Sequence, residues 1–137
     1  MRPILLKGHE RAITFVRYNK EGDLLFSCAK DGTPCVWYSD NGERLGTFEG
    51  HTGAVWMVDV SYDSKYLVTA SADMSVRVFG VQSGECLKVL PHPGPTRACC
   101  FAEGGRHFAT GANPFRGEDA RLRIYEIPED VTKMSDA

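Results

Sequence analysis

A self-similarity at a fixed spacing of 42 residues limits what this chain can fold into. His9 recurs as His51, Asp31 as Asp73 and Trp37 as Phe79. Each copy opens on Gly-His (Gly8-His9, Gly50-His51), holds short apolar runs parted by turn residues, and closes on an aromatic. In the first copy, Ile13 to Tyr18 alternates. NKEGD then supplies turn residues, Leu24 to Ala29 is a continuous apolar run, and Asp31-Gly32 is a hairpin signal. Val36 to Tyr38 follows, with Pro34 at its start, where a missing N–H is tolerated, and Asn41-Gly42 turns the chain into Arg44 to Phe48. The second copy repeats this order as Val55 to Val60, Tyr66 to Ser71, Ser75 to Phe79 and Glu85 to Leu90. Helix caps and sustained 3.6-residue periodicity are absent.

Four-stranded modules of about 40–45 residues, with Gly-His in front and a Trp-Asp-like pair behind, are the signature of a WD-repeat β-propeller. The fold class is therefore all-β, with about three four-stranded blades of a larger ring, which needs at least four blades and more commonly has seven. The division follows: an orphan outer strand over 1–7 (the apolar run Ile4 to Leu6), blade one over 8–49, blade two over 50–91, and an incomplete blade three over 92–127. Blade three takes Arg97 to Ala102, a Gly104-Gly105 turn, His107 to Gly111 and Leu122 to Ile127. Thr69 to Thr110 is an offset of 41, but Asp73 to Asp119 and Phe79 to Tyr125 are both 46, so ANPFRGE, residues 112–118, carries an insertion. The tail over 128–137, PEDVTKMSDA, is expected to be polar and mobile. Each blade packs on its neighbours, and so short a ring leaves two apolar faces bare. The expectation is a longer protein of which this is the N-terminal portion.

Composition narrows the functions. A net charge of −2 over 137 residues gives no broad electrostatic reason to bind nucleic acid or an acidic membrane, and direct sequence-specific nucleic-acid binding is not expected. No apolar run approaches the roughly 20 residues of a membrane span, and MRPILLKGHE turns polar too soon for a secretory signal. Cys28, Cys35, Cys86, Cys99 and Cys100 form no CxxC pair, and each falls in a predicted strand. They are expected to be buried free thiols in a reducing compartment.

The residues with most chemistry are those of a hydrogen-bonded relay that braces a blade, in which an indole N–H donates to a hydroxyl, the hydroxyl to a histidine, and the histidine to an aspartate. Blade one offers His9, Asp31 and Trp37, with Ala29 at the expected hydroxyl position; blade two offers His51, Ser71 and Asp73, with Phe79 in place of the indole. Each relay is thus expected to lack one link. His51, Ser71 and Asp73 are also the side chains of a nucleophilic triad. The 42-residue recurrence explains them structurally, and the G-x-S-x-G setting is missing, so no catalytic residue is expected. No metal site is expected either: His9, His51, His92 and His107 lack ligand spacing. No phosphate-binding glycine loop occurs, and no cofactor is expected. Phe115, Arg116, Arg121 and Arg123, around the insertion, have the composition of a partner contact, with a solvated face as the plainer reading. Trp56, in an inner strand, is expected to pack in the core.

The segments MRPILLKGHERAITFVRYNKEGDLLFSCAKD, VWYSDNGERLGTFEGHTGAVW and SADMSVRVF together resemble the family of WD-repeat i subunits of eukaryotic translation initiation factor 3, and ANPFRGEDARLRIYEI resembles its long third-blade hairpin. The resemblance runs from Met1 to about Tyr125 and weakens after Leu90. It implies a seven-bladed, cytoplasmic, non-catalytic scaffold in a multi-subunit factor on the small ribosomal subunit, holding the b and g subunits and supporting scanning and start-codon selection. A generic WD-repeat adaptor for another assembly is the alternative, since one fold serves many partners.

Overall fold

The computed structural model describes residues 3–117, 119–129, 131 and 134. Three antiparallel sheets follow one another along the chain. The first holds β1 (Ile13–Tyr18), β2 (Leu24–Ala29), β3 (Cys35–Tyr38) and β4 (Arg44–Thr47) in sequence order. The second repeats this with β5 (Val55–Val60), β6 (Tyr66–Ser71), β7 (Ser75–Gly80) and β8 (Cys86–Pro91). The third has three strands, β9 (Thr96–Phe101), β10 (His107–Ala112) and β11 (Arg121–Glu126). Among the described residues, no helix is long and apolar enough to cross a membrane.

The strand alternation of blade two builds two cores. Val55, Val58, Val60, Leu67 and Phe79 face blade one and meet Phe26, Cys28, Val36 and Phe48. Val68, Ala70, Val76, Val78 and Leu90 face the other way and meet Cys99, Phe108, Tyr125 and Ile127. β6, YLVTAS, is covered on both sides: Leu67, Val68 and Ala70 are all buried, and its two buried hydroxyls, Thr69 and Ser71, are hydrogen-bonded. The inner strands lie side by side, β5 between β1 and β9. Asp59 ties them together: its carboxylate lies 3.4 Å from Arg17 on β1 and accepts the Phe101 N–H of β9 at 2.7 Å. Blade three's far face is bare, with Leu122 86% and Ile124 78% exposed.

Turn chemistry fixes how blade tips approach. Gly32 has φ +81°, and a Cβ there would meet the Gly53 and His51 carbonyl oxygens at 3.0 and 3.2 Å. Only glycine lets blade one's tip come so close to the loop that carries His51. In the insertion, Arg116 and Gly117 both have positive φ, 49° and 85°, as a tight turn of two left-handed residues requires.

Among the described residues, 4–6 pair in no ladder, and Ile4 lies against the turn at Gly42; the partners expected for this run belong to strands outside the three blades. Two expectations are corrected. The tail is not merely polar: Val131 and Met134 are buried in the core shared by blades two and three, while residues 130, 132, 133 and 135–137 lie outside the described residues. Finally, Cys28, Cys35 and Cys99 are buried, but Cys86 and Cys100 are exposed. Neighbours on a strand point to opposite faces, so Cys99 and Cys100 cannot share one core. Burial pushes the Cys28 thiol up to about 11.

Candidate functional site

The bracing relays sit where the loop before each inner strand meets the turn between the second and third strands. In blade one the relay is complete. Trp37 Nε1 donates to Ser27 Oγ at 2.9 Å, Ser27 Oγ lies 2.7 Å from His9 Nε2, and His9 Nδ1 lies 3.0 Å from Asp31 Oδ2. With the indole as a fixed donor, the proton order must run Trp37 to Ser27 to His9 to Asp31. The missing hydroxyl expected at Ala29 is therefore supplied two residues earlier.

Blade two has the same correction. His51 Nε2 meets Thr69 Oγ1 at 2.5 Å, not Ser71, while Nδ1 meets Asp73 Oδ2 at 2.8 Å. Ser71 lies outside the relay: its Oγ donates to the Ala54 carbonyl at 3.0 Å and accepts the Asp73 N–H at 3.2 Å. Residues 27 and 29, like 69 and 71, share a strand face. Depth along that face, not side, decides which hydroxyl reaches the imidazole. Phe79 leaves Thr69 with no indole donor, and its ring packs edge-on to His51 at 6.3 Å and to Phe48 at 5.4 Å.

A third histidine, not foreseen, follows the same plan. His92 is buried, its Nε2 3.0 Å from Thr110 Oγ1. Among the described residues no aspartate serves it; Nδ1 donates to the Leu90 carbonyl at 2.9 Å. The signal was present in the sequence: histidine to Ser or Thr is 18 residues in all three blades, 9 to 27, 51 to 69 and 92 to 110.

The electrostatics follow from these contacts. Burial pulls the Asp73 carboxyl up, but hydrogen bonds from His51, Ser75 and the Thr52 N–H outweigh it and hold the group well below the usual carboxylate range. Asp31 moves the same way: burial opposes, and the Thr33 N–H, His9 and the Glu10 N–H prevail. His92 is pushed below its ordinary 6.5 by burial, with Arg123 adding to the effect and the Leu90 hydrogen bond opposing it.

Two expected outcomes test this geometry. Ser27→Ala strands the Trp37 indole N–H and removes the donor to His9, so it should cost about 2–3 kcal/mol in a urea titration. A silent variant would place the hydroxyl link elsewhere. For His92 the unfolded chain takes up its proton first, so the His92 contribution is complete above about pH 6.5 and shrinks as pH falls toward the lower folded value. Stability measured from pH 7.5 to 5.5 should therefore fall less steeply in His92→Asn than in the parent.

Among the described residues, Ser71 shares the Thr69 face of β6 but does not reach His51, Thr69, which does, is fully buried, and Ser75 Oγ, 3.5 Å from His51 Nδ1, donates to Asp73 Oδ1 at 2.6 Å. Among the described residues no three His, Cys, Asp or Glu side chains converge as a metal site. The basic group near the insertion is dispersed. Arg116 is exposed and stacks at 5.1 Å on Phe115, which is half-buried rather than exposed. Arg121 and Arg123 share the β11 face of buried Tyr125, with Arg121 exposed and Arg123 half-buried. Trp56 is half-buried in β5 and not sealed in a core.

Sheets of this order, repeated with a bracing histidine in each blade, define a WD-repeat propeller segment. The chain matches the family described as WD domain, G-beta repeat over residues 3–38, 42–80 and 84–126, and it belongs to that family. Within it, the chain is similar to eukaryotic translation initiation factor 3 subunit I from several organisms. The Caenorhabditis elegans protein is 55% identical over 105 residues, covering 77% of this chain and 32% of the relative. That of Saccharomyces cerevisiae (strain ATCC 204508 / S288c) is 45% identical over 141 residues, 99% of this chain and 41% of the relative. That of Drosophila pseudoobscura pseudoobscura is 43% identical over 136 residues, 99% and 42%. The chain thus spans 32% to 42% of the length of these relatives. Solved structures of U3-55K and of the RRP9 WD40 repeats, each 22% identical, superpose with a TM-score of 0.82 over 91% of this chain, and 39% and 38% of theirs. That likeness shows the fold.

Proposed function

We propose that this chain belongs to a subunit I of eukaryotic translation initiation factor 3 and serves that factor as a non-catalytic cytoplasmic scaffold. One observation carries the reading: identities of 42–55% to proteins of that name, against 22% to WD-repeat structures that share only the fold. The relays support a bracing rather than a reactive role, since each imidazole is held at both nitrogens by buried or half-buried partners. In this reading the protein holds the b and g subunits and, through the factor, the small ribosomal subunit during scanning and start-codon selection. Phe115, Arg116, Arg121 and Arg123 are proposed partner contacts: the stacked Phe115–Arg116 pair stands on a tight turn, and Arg121 is exposed on the strand that follows.

The test is affinity purification of the full natural chain, tagged, from its own cells. Recovery of the other factor subunits together with small ribosomal subunits supports the proposal, and Arg116→Glu with Arg121→Glu should lower the yield of one subunit without unfolding the chain. Recovery of an unrelated assembly would replace it with the adaptor reading.

A further inference from the structure

One irregularity recurs at the same place in every blade. The ladder between first and second strands slips between Ile13 and Phe15, between Val55 and Met57, and between Thr96 and Ala98. The extra residue is Thr14, Trp56 and Arg97 in turn. A β-bulge re-aims the side chain of its extra residue, and here three adjacent inner strands re-aim theirs beside one another. The Thr14 hydroxyl donates to the Val55 carbonyl next to Trp56. The Arg97 guanidinium lies over the Trp56 ring at 4.3 Å, and Lys30, at the end of β2, brings its ammonium within 5.9 Å of the same ring.

Two cations therefore converge on one half-buried indole, and Arg97 and Lys30 are both exposed. The ion pairs among the described residues are His9–Asp31, Arg17–Asp59 and His51–Asp73, so neither cation has a carboxylate of its own. The neighbouring Asp31 is engaged by His9 and the Glu10 and Thr33 N–H groups. The indole holds both cations on one patch, where an anion that meets them is attracted.

We propose that Lys30, Trp56 and Arg97 form a binding site for an acidic segment of a protein partner, with a carboxylate or phosphate seated between the two cations. A nucleic-acid ligand is disfavoured: the indole face that a base would stack on already carries Arg97, and the chain's net charge is −2. This site does not rest on the Phe115–Arg116 contact and stands whether or not that contact does, although Arg121 lines the same surface depression as Arg97.

The test uses the full natural chain and a fluorescein-labelled octapeptide alternating serine and glutamate, read by anisotropy. The parent should bind it, the glutamine counterpart should not, and Arg97→Glu should weaken binding roughly tenfold or more. Arg97→Lys should keep most of the affinity. Lys20→Glu, which makes the same charge change beside Tyr62, should leave binding unaltered. A phosphoserine octapeptide bound in place of, or better than, the glutamate one identifies phosphate as the anion and also supports the site. Failure of the parent to bind either peptide, equal losses in Lys20→Glu and Arg97→Glu, or Arg97-dependent capture of a uridine octamer but of neither peptide would overturn it.

Discussion

Phe48→Ala is expected to destabilise the full natural chain by about 3–5 kcal/mol in a denaturant titration, the range for deleting a buried ring. Phe48 follows directly on β4, and its N–H donates to the Pro34 carbonyl at 2.8 Å, which fixes the backbone. Its ring is 1% exposed and packs on Phe26 at 6.3 Å and Phe79 at 5.4 Å, one partner from each blade. Sheets pinned by their own ladders cannot close over the gap, so most of the cavity would remain. Leu45, three residues earlier on the same segment, is 45% exposed, and Leu45→Ala should cost under about 1 kcal/mol. Equal losses at the two positions would mean that blades one and two are not cemented by this cluster.

The recurrence of Phe48 as Leu90, 42 residues on and buried in the next core, shows what was legible in the sequence. Turn pairs and apolar runs set the strands, because each is a local property repeated in step. His9, Asp31, His51 and Asp73 were legible for the same reason. The hydroxyls were not: Ser27 and Ala29 share a face, and only the packed depth of the imidazole chooses between them. The 18-residue spacing from histidine to hydroxyl was available, but it becomes informative only when all three blades are compared. The bulges at Thr14, Trp56 and Arg97 depend on pairing register, which no local pattern encodes. In the tail, two apolar residues among polar ones gave no periodic signal, yet Val131 and Met134 enter the core that Leu90 also fills.

Asp73→Ala should cost about 3 kcal/mol, because this carboxylate accepts four hydrogen bonds at once: from His51 Nδ1 at 2.8 Å, the Thr52 and Ser75 N–H groups at 3.1 Å each, and Ser75 Oγ at 2.6 Å. The His51 side chain is wholly buried, so its Nδ1–H has no water to turn to. Asp73→Asn keeps one carbonyl acceptor and should lose less. The pH dependence separates lost hydrogen bonds from lost packing. The folded carboxyl is held below its ordinary 3.8, so its contribution is complete above about pH 4 and drains away as pH falls through the folded value. The gap between parent and Asp73→Ala should accordingly narrow in acid, whereas a gap that stays constant down to pH 2 would assign the loss to packing. Asp31 offers the comparison within the molecule: it braces a relay that blade one completes through Trp37, and it is more open to solvent, with side-chain exposure of 13% against 8%. Asp31→Ala should therefore cost less than Asp73→Ala, the blade with the indole depending less on its acid than the blade in which phenylalanine took its place.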